Sequence, residues 1–106
     1  MNEYSLEYTD RFKRDLEKVR RYILLTLENP VSAQSIVEKI LKRCVELSFL
    51  PEGTPVKYTL RGVSFRDVHV KNYTIIYSSS REKKLETIHA VMYSRRNIER
   101  VLKEDQ

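Results

Sequence analysis

Residues that can bind an anion are grouped at the end of a strand-like segment in the second half of the chain. The segment Phe65–Asn97 contains two β-like runs joined by a polar, basic loop, and the second run ends in Tyr93-Ser94-Arg95-Arg96. Guanidinium groups donate paired hydrogen bonds to carboxylates and phosphates, and a phenol adds a further polar group. This grouping predicts a site for an anionic partner.

Cleavage of RNA is one chemistry that these residues could support. Transesterification needs a base for the 2′-OH, cations at the scissile phosphate and an acid for the leaving oxygen. Arg66 and Arg96 could contact the phosphate, Tyr93 could stack on a base or pass a proton, and His89 titrates near neutral pH. A packed, hydrogen-bonded role for His89 is favoured, because its neighbours of the same strand parity are largely apolar: Leu85, Thr87, Val91 and Tyr93.

The charge of the chain points to an acidic partner. The formal net charge is +5 and the isoelectric point is about 9.4. Such a balance favours nucleic acid, an acidic protein segment or an anionic surface as the partner, and the alternative is a basic soluble protein without one. The excess lies mainly in the second half, at Lys57, Arg61, Arg66, Lys71, Arg81, Lys83, Lys84, Arg95, Arg96, Arg100 and Lys103.

Cysteine and histidine usage gives no sign of metal chemistry. Cys44 is the single cysteine and lies on an apolar helical stripe, which is typical of a buried small side chain. His69 and His89 are too far apart in sequence to form a metal-binding motif, so we expect no metal and no cofactor. There is no signal sequence and no long apolar run, and we expect a cytoplasmic protein with no membrane contact.

The first half of the sequence predicts one strand and two helices. Alternating polarity predicts a strand over Glu3–Tyr8, and Thr9 and Asp10 are suited to begin a helix. Asn29-Pro30 ends that helix and begins the next, which runs to Leu50-Pro51-Glu52-Gly53. A short turn makes the two helices an antiparallel hairpin. The first helix has its apolar stripe at Phe12, Leu16, Val19, Ile23 and Leu27, and the second at Ala33, Val37, Ile40, Cys44 and Leu47.

The second half has the period of β-strands. A β-bulge near Arg66-Asp67 would reconcile the parity of Phe65 with that of the later valines, and Asn72 is suited to positive φ in a turn at Lys71-Asn72. The pattern at Lys57–Leu60 is compatible with a further short strand, which the predicted order of elements does not include. The predicted elements are strands Ser64–Lys71, Tyr73–Tyr77 and Leu85–Tyr93, a loop Ser78–Lys84, and a final helix from Arg95 to about Glu104.

These elements predict a small α+β protein with the order β-α-α-β-β-β-α. Three meander strands and the N-terminal strand form a mostly antiparallel sheet, which the α-helical hairpin covers on one face. The length of 106 residues and the lack of a linker predict a single domain over residues 1–106.

Short motifs along nearly the whole chain resemble the RelE/ParE superfamily of toxins from type II toxin–antitoxin modules. The motifs resemble the ParE side more closely, because the helix hairpin is long and carries an Asn-Pro turn and a Leu-x-x-x-Pro-x-Gly exit. The matching residues are Tyr4–Tyr8, Asp15-Leu16, Arg21-Tyr22-Ile23, Asn29–Ala33, Leu47-x-x-Leu50-Pro51-x-Gly53, Arg66, Asn72–Tyr77 and Val91-x-x-x-x-Arg96-Asn97. The resemblance implies one RelE/ParE-like toxin domain.

The departures from the superfamily pattern bear on the mechanism. Ribonuclease members often carry an arginine in a central strand where this chain has Thr74, and this weakens an RNA-cleaving reading. They often show a histidine and an Arg-Asp pair near the last strand, where this chain has Tyr93 and Arg96-Asn97. The resemblance then implies growth inhibition by interference with DNA gyrase. The alternatives are ribosome-dependent or free mRNA cleavage, and a non-toxic module acting only in the antitoxin–operator complex, so enzymatic activity is left open.

The resemblance also implies a cognate antitoxin. Such antitoxins join a ribbon-helix-helix DNA-binding N-terminal part to an acidic C-terminal segment, so operator DNA is contacted only through the antitoxin. We expect the segment's apolar anchors to contact the helix-hairpin groove and the sheet. The candidate contacts for the antitoxin or the target are Arg66, Arg95, Arg96 and Arg100.

Overall fold

The structure is a computed structural model that describes residues 3–94. Within this range the chain forms two α-helices and a five-stranded sheet, which confirms the α+β class. None of the described helices is long and apolar enough to cross a membrane. The elements are β1 (Ser5–Tyr8), α1 (Asp10–Arg21), a π-helical turn (Tyr22–Thr26), α2 (Pro30–Phe49), β2 (Val56–Leu60), β3 (Val63–Val70), β4 (Tyr73–Ser80) and β5 (Leu85–Tyr93).

The sheet joins the first strand to the last described one. Its order is β1-β5-β4-β3-β2, with β1 parallel to β5 and all other pairs antiparallel. The two helices lie in the connection from β1 to the meander of β2–β5. A parallel pair such as β1 and β5 needs a long connection between its strands, and the helices are part of it. Four strands follow the helices within residues 3–94, instead of the three in the predicted order, because Val56–Leu60 forms a full edge strand.

The helix hairpin begins and turns at the predicted residues. The Thr9 hydroxyl accepts a hydrogen bond from the Phe12 amide and caps α1, and the Asn29 side chain accepts one from the Ser32 amide and caps α2. Pro30 occupies the first turn of α2, where its missing N–H costs nothing. These caps fix the first residues of α1 and α2. Both helices pack on one face of the sheet.

Both faces of the sheet bury apolar side chains. The larger cluster lies between the sheet and the helices, and a smaller cluster lies on the opposite face, called here the far face. Burying one aliphatic side chain contributes about 1.5–3 kcal/mol, so the larger cluster dominates stability. The larger cluster consists of Phe12, Val19, Ile23, Ala33, Ile40, Cys44, Leu47, Ile75, Tyr77, Ile88 and Val91, and the smaller of Phe65, Ile76, Ala90 and Met92.

The predicted bulge near Arg66-Asp67 is wrong. Strand β3 is regular, and the extra residue lies in its partner β2, at Lys57. The mixed parity of β3 arises because both sheet faces are apolar: Phe65 belongs to the far-face cluster while Val68 packs against the helix-side cluster. A second extra residue, His89, lies in β5 between Ile88 and Ala90.

The strand ends also differ from the prediction. Strand β4 continues to Ser80, because Ser78, Ser79 and Ser80 pair with β5, and only the end of the predicted loop remains a turn. In the turn between β3 and β4, Lys71 and not Asn72 has positive φ, at 54°. The predicted helix from Arg95 lies outside the described residues.

Candidate functional site

The end of β5 positions the predicted anion-binding group. The Ser94 amide donates to the Asn72 carbonyl at 2.9 Å, which holds the end of β5 against the turn between β3 and β4. The Ser94 hydroxyl lies 2.9 Å from the Thr74 hydroxyl. These bonds fix the point from which the chain continues to Arg95 and Arg96. Arg95, Arg96 and Arg100 themselves lie outside the described residues.

Three tyrosines form a cleft on the helix side of this end of the sheet, called here the tyrosine cleft. The rings of Tyr73 and Tyr93 meet edge to face with centroids 5.9 Å apart. Burial raises the pKa of Tyr73, and the neighbouring phenols of Tyr22 and Tyr93 raise it further. The cleft has a volume of about 480 Å³ and is lined by Asp15, Lys18, Val19, Tyr22, Tyr73, Val91, Met92 and Tyr93.

A polar chain runs across the far face at the same end of the sheet. His69 Nδ1 lies 2.9 Å from the Thr74 hydroxyl, which in turn contacts Ser94. Thr74 is fully buried, so its hydroxyl needs these partners. The residue that stands where ribonucleases often have arginine is thus a buried link between His69 and the end of β5.

His89 is packed and hydrogen-bonded. Its Nε2 lies 2.7 Å from the Ser78 hydroxyl, and its ring meets Phe65 edge to face at 4.9 Å. Its backbone carbonyl accepts a hydrogen bond from the Thr9 hydroxyl. Because His89 is the extra residue of β5, it lies on the far face, and Val91 and Tyr93 lie on the other. The predicted parity, which placed all three on one face, is therefore wrong.

Arg66 lies on the helix side of the sheet, near the exit of α2. Its guanidinium donates to the Thr54 carbonyl, and the Thr54 hydroxyl lies 2.6 Å from the Tyr77 hydroxyl. The pKa of Glu52 is lowered, chiefly by its hydrogen bond from Arg81 and additionally by the charge of Arg66. Arg66 is half-buried, so it holds the loop after α2 and still reaches solvent.

The structure does not bring the described ribonuclease candidates together. Arg66 pairs with Tyr77, whereas Tyr93 pairs with Tyr73, four residues away along β4. Four residues of a strand span roughly 13 Å. His89 lies on the opposite face of the sheet from both. Within residues 3–94, no base, acid and cation from the predicted set face one common point.

Two buried carboxyl groups were missed by the sequence reasoning. Glu86 is fully buried on the helix side, and burial raises its pKa to about 7. Asp15 accepts hydrogen bonds from the Val91 amide and from Arg11, both at 3.3 Å, and burial raises its pKa. The sequence signal for the burial of Glu86 was its position two residues before Ile88, which places both side chains on the same face of the strand. Asp15 shares one side of α1 with Lys18, and Tyr22, the first residue of the π-helical turn, continues that side.

Comparison of the sequence with known families gives a match over most of the chain. The profile of the ParE toxin of the type II toxin–antitoxin system parDE matches residues 6–98. A comparison with curated proteins found no match.

Solved structures of toxins share the fold. The chromosomal ParDE toxin–antitoxin system of P. aeruginosa aligns with a TM-score of 0.69 and 17% identity, over 88% of this chain and 98% of that one. The RelBE2 toxin–antitoxin complex of Mycobacterium tuberculosis gives 0.61 and 20%, over 86% and 98%. The isolated RelE toxin of E. coli gives 0.59 and 16%, over 97% and 99%. At these identities the likeness concerns the fold.

Proposed function

This chain belongs to the ParE toxin family of type II toxin–antitoxin systems, and we propose that it inhibits growth by interfering with DNA gyrase in the cytoplasm. The family match over residues 6–98 carries the proposal. The scattering of Arg66, His89 and Tyr93 over two faces of the sheet supports a mechanism by protein contact, because RNA cleavage needs such groups to converge. Thr74 is buried and its hydroxyl contacts His69, so it offers no cation for a phosphate, and this also supports a mechanism by protein contact.

A gyrase assay tests this mechanism. Purified chain added to gyrase and relaxed plasmid is expected to inhibit supercoiling or to trap cleaved plasmid. A translation extract with mapped mRNA ends is run beside it. Cut mRNA together with unaffected gyrase would overturn the gyrase proposal while keeping the toxin proposal.

One observation favours mRNA cleavage as the second candidate. The chain of hydrogen bonds from His69 through Thr74 reaches Ser94, the residue that precedes Arg95-Arg96 in sequence. The His69 imidazole would then lie near the end of β5, after which two arginines follow in the sequence, in a position to act as a base near a bound phosphate. His69→Gln would then abolish mRNA cutting, whereas it would leave gyrase inhibition unchanged if the first proposal holds.

We further propose a cognate antitoxin as the partner. The solved relatives include toxin–antitoxin complexes, and the net charge of +5 suits an acidic segment. We propose Arg66, Arg95, Arg96 and Arg100 as contacts of the antitoxin or the target, and DNA contact only through the antitoxin.

The active surface can be tested at the end of β5. We expect Tyr93→Ala and Arg96→Ala each to reduce growth inhibition at equal protein level, because a phenol and a guanidinium at an interface centre commonly contribute 2 kcal/mol or more, roughly a thirtyfold change in affinity. Lys57→Ala, in the edge strand β2, is the control. Undiminished toxicity of both variants would remove this end of the sheet from the active surface.

A further inference from the structure

We propose that Glu86 and Ser79 form a proton-controlled latch, which holds the loop after α2 against the sheet and releases it when Glu86 ionises. This loop consists of residues 50–55, between α2 and β2, and is called here the exit loop. The latch is a property of the chain itself and does not depend on the proposed function. Its chemical basis is one hydroxyl proton for which two oxygens compete.

Ser79 joins the exit loop to the sheet at Pro51. Its hydroxyl lies 2.7 Å from the Pro51 carbonyl oxygen and 2.7 Å from Glu86 Oε1. While Glu86 is neutral, both oxygens share the one proton, because neither acceptor is charged. A hydrogen bond to a carboxylate is roughly twice as strong as one to a neutral oxygen. Ionised Glu86 therefore takes the Ser79 proton for itself, and the Pro51 carbonyl loses its donor.

Ionisation also places a charge in the core that lacks sufficient partners. Glu86 is fully buried, and its Oε2 has no hydrogen-bond partner among the described residues. An unpaired buried carboxylate is costly, so this oxygen and the freed Pro51 carbonyl both require water. Pro51 also lines a surface cavity of about 520 Å³. Displacement of the exit loop gives solvent a path from this cavity to both groups, so ionisation and release occur together.

The surroundings of Glu86 set the pH at which the latch releases. Burial raises the pKa of Glu86 to about 7, because it outweighs the hydrogen bond to the carboxyl group and the charge of Arg66 on β3. Cys44 on α2 and Tyr77 on β4 are neutral at this pH, because burial raises the pKa of each. The partner residue on β1 is the apolar Leu6. The latch is therefore closed below about pH 7 and open above it.

The other end of the exit loop is attached independently of Glu86. The Thr54 carbonyl accepts a hydrogen bond from the Arg66 guanidinium, and the Thr54 hydroxyl lies 2.6 Å from the Tyr77 hydroxyl. These contacts join the loop to β3 and β4 without the Ser79 proton. The segment that the latch releases is therefore the start of the loop, around Pro51.

Carbon-13 NMR of the full chain between pH 5.5 and 8.5 tests the latch. The Glu86 carboxyl carbon reports ionisation, and the Pro51 carbonyl carbon reports its hydrogen bond. We expect both resonances to titrate with one midpoint, near pH 7. In Glu86→Gln the Pro51 resonance should keep its low-pH position throughout. A constant Pro51 resonance in the parent chain, or a Glu86 resonance that does not titrate in this range, overturns the proposal.

Ser79→Ala separates the two acceptors. The variant lacks the donor, so the Pro51 resonance should have its high-pH position at every pH while Glu86 still titrates. Ser80→Ala, on the opposite face of β4, is the matched control and should behave as the parent chain does. A Pro51 resonance that still follows the ionisation of Glu86 in Ser79→Ala overturns the proposal. If circular dichroism shows that Ser79→Ala does not fold, the comparison of the parent chain with Glu86→Gln decides.

A glutamate-specific protease tests whether the exit loop opens. At pH 8, cleavage after Glu52 should be at least fivefold faster in the parent chain than in Glu86→Gln, whereas at pH 5.5 the two rates should agree. Cleavage after Glu38, in the middle of α2, reports unfolding of the whole chain. Equal rates after Glu52 in both chains at pH 8 overturn the proposal. Equal acceleration after Glu38 and Glu52 also overturns it, because the whole chain would then open instead of the loop.

Discussion

Glu86 is a carboxyl group whose protonated form is favoured by burial in the core. The Ser79 hydroxyl lies 2.7 Å from the Pro51 carbonyl oxygen and 2.7 Å from Glu86 Oε1. The Ser79 hydroxyl donates to both oxygens, so its single proton is shared between the Pro51 carbonyl and the Glu86 carboxyl group. This shared hydrogen bond links Glu86 on β5 through Ser79 on β4 to the loop after α2.

The groups facing Glu86 agree with this protonation state. Cys44 on α2 and Tyr77 on β4 are buried beside Glu86 and offer it no positive charge. Burial raises the pKa of Glu86 to about 7, because it outweighs the hydrogen bond from Ser79 and the charge of Arg66, which both lower the pKa. Glu86 Oε2 has no partner among the described residues, as expected when that oxygen belongs to a neutral acid.

The protonation of Glu86 predicts a pH dependence of stability. Because the folded-state pKa exceeds the ordinary value of 4.5, ionisation opposes folding. The stability from this group is fully present below about pH 4.5 and declines until about pH 7, by roughly 3 kcal/mol. Glu86→Gln keeps an acceptor for the Ser79 hydroxyl and cannot ionise. In urea unfolding between pH 4.5 and 7.5, the free energy of unfolding of the variant should therefore increase relative to that of the parent chain as the pH rises.

Glu82→Gln in the exposed turn after β4 is the control for this measurement, and it should follow the parent chain at every pH. A constant difference between parent and Glu86→Gln across this range would show that Glu86 is not protonated in the folded protein.

The sequence predicted the packed state of His89 and the burial of Cys44, but not their surroundings. A histidine among apolar neighbours in a strand implies burial whatever the register. Its partner Ser78 depends on the extra residue in β5, which shifts every later side chain to the opposite face. Alternation counted along one strand contains no information on such a shift, because the shift depends on how β4 and β5 pair.

Whole elements were predicted better than their ends. Helix caps and apolar stripes are local, so Thr9, Asn29 and Pro30 identified the hairpin correctly. The end of β4 is set by pairing with β5, and three serines carry no local strand signal. The tyrosine cleft is formed by residues of α1, the π-helical turn, β4 and β5, so no single segment of the sequence contains it.

The turn between β3 and β4 predicts a stabilising change. Lys71 has a φ of 54°, a region that costs a residue with a Cβ roughly 1 kcal/mol and glycine almost nothing. We expect Lys71→Gly to raise the free energy of unfolding by up to about 1 kcal/mol in a urea titration. Asn72→Gly, at a residue without positive φ, is the matched control and should not stabilise. A gain that is larger at Asn72 would contradict the assigned turn.

The single thiol reports on the folding of the whole molecule. Cys44 is fully buried, and burial followed by the proximity of Glu86 raises its pKa to about 12. A thiol must be exposed and ionised to react. We therefore expect iodoacetamide at pH 8 to label the native chain at least about a thousandfold more slowly than the urea-unfolded chain, because labelling requires opening of the core.

Mass spectrometry can follow this reaction without ambiguity, since Cys44 is the one cysteine of the sequence. Destabilising changes in either helix should speed labelling in proportion to the stability lost. Labelling of the native chain at the unfolded rate would show that Cys44 is not in the core.

The parallel pairing of β1 with β5 governs the moment at which the protein can fold during synthesis. Strand β1 leaves the ribosome before the other described elements, yet its partner residues Leu85–Ile88 leave only after both described helices and strands β2–β4. The sheet thus closes late, since long-range pairings form only when both segments are present. The tyrosine cleft needs β5 as well, so a nascent chain that lacks β5 has neither a finished sheet nor this surface. A toxin of the proposed kind would therefore be inert until β5 has been made.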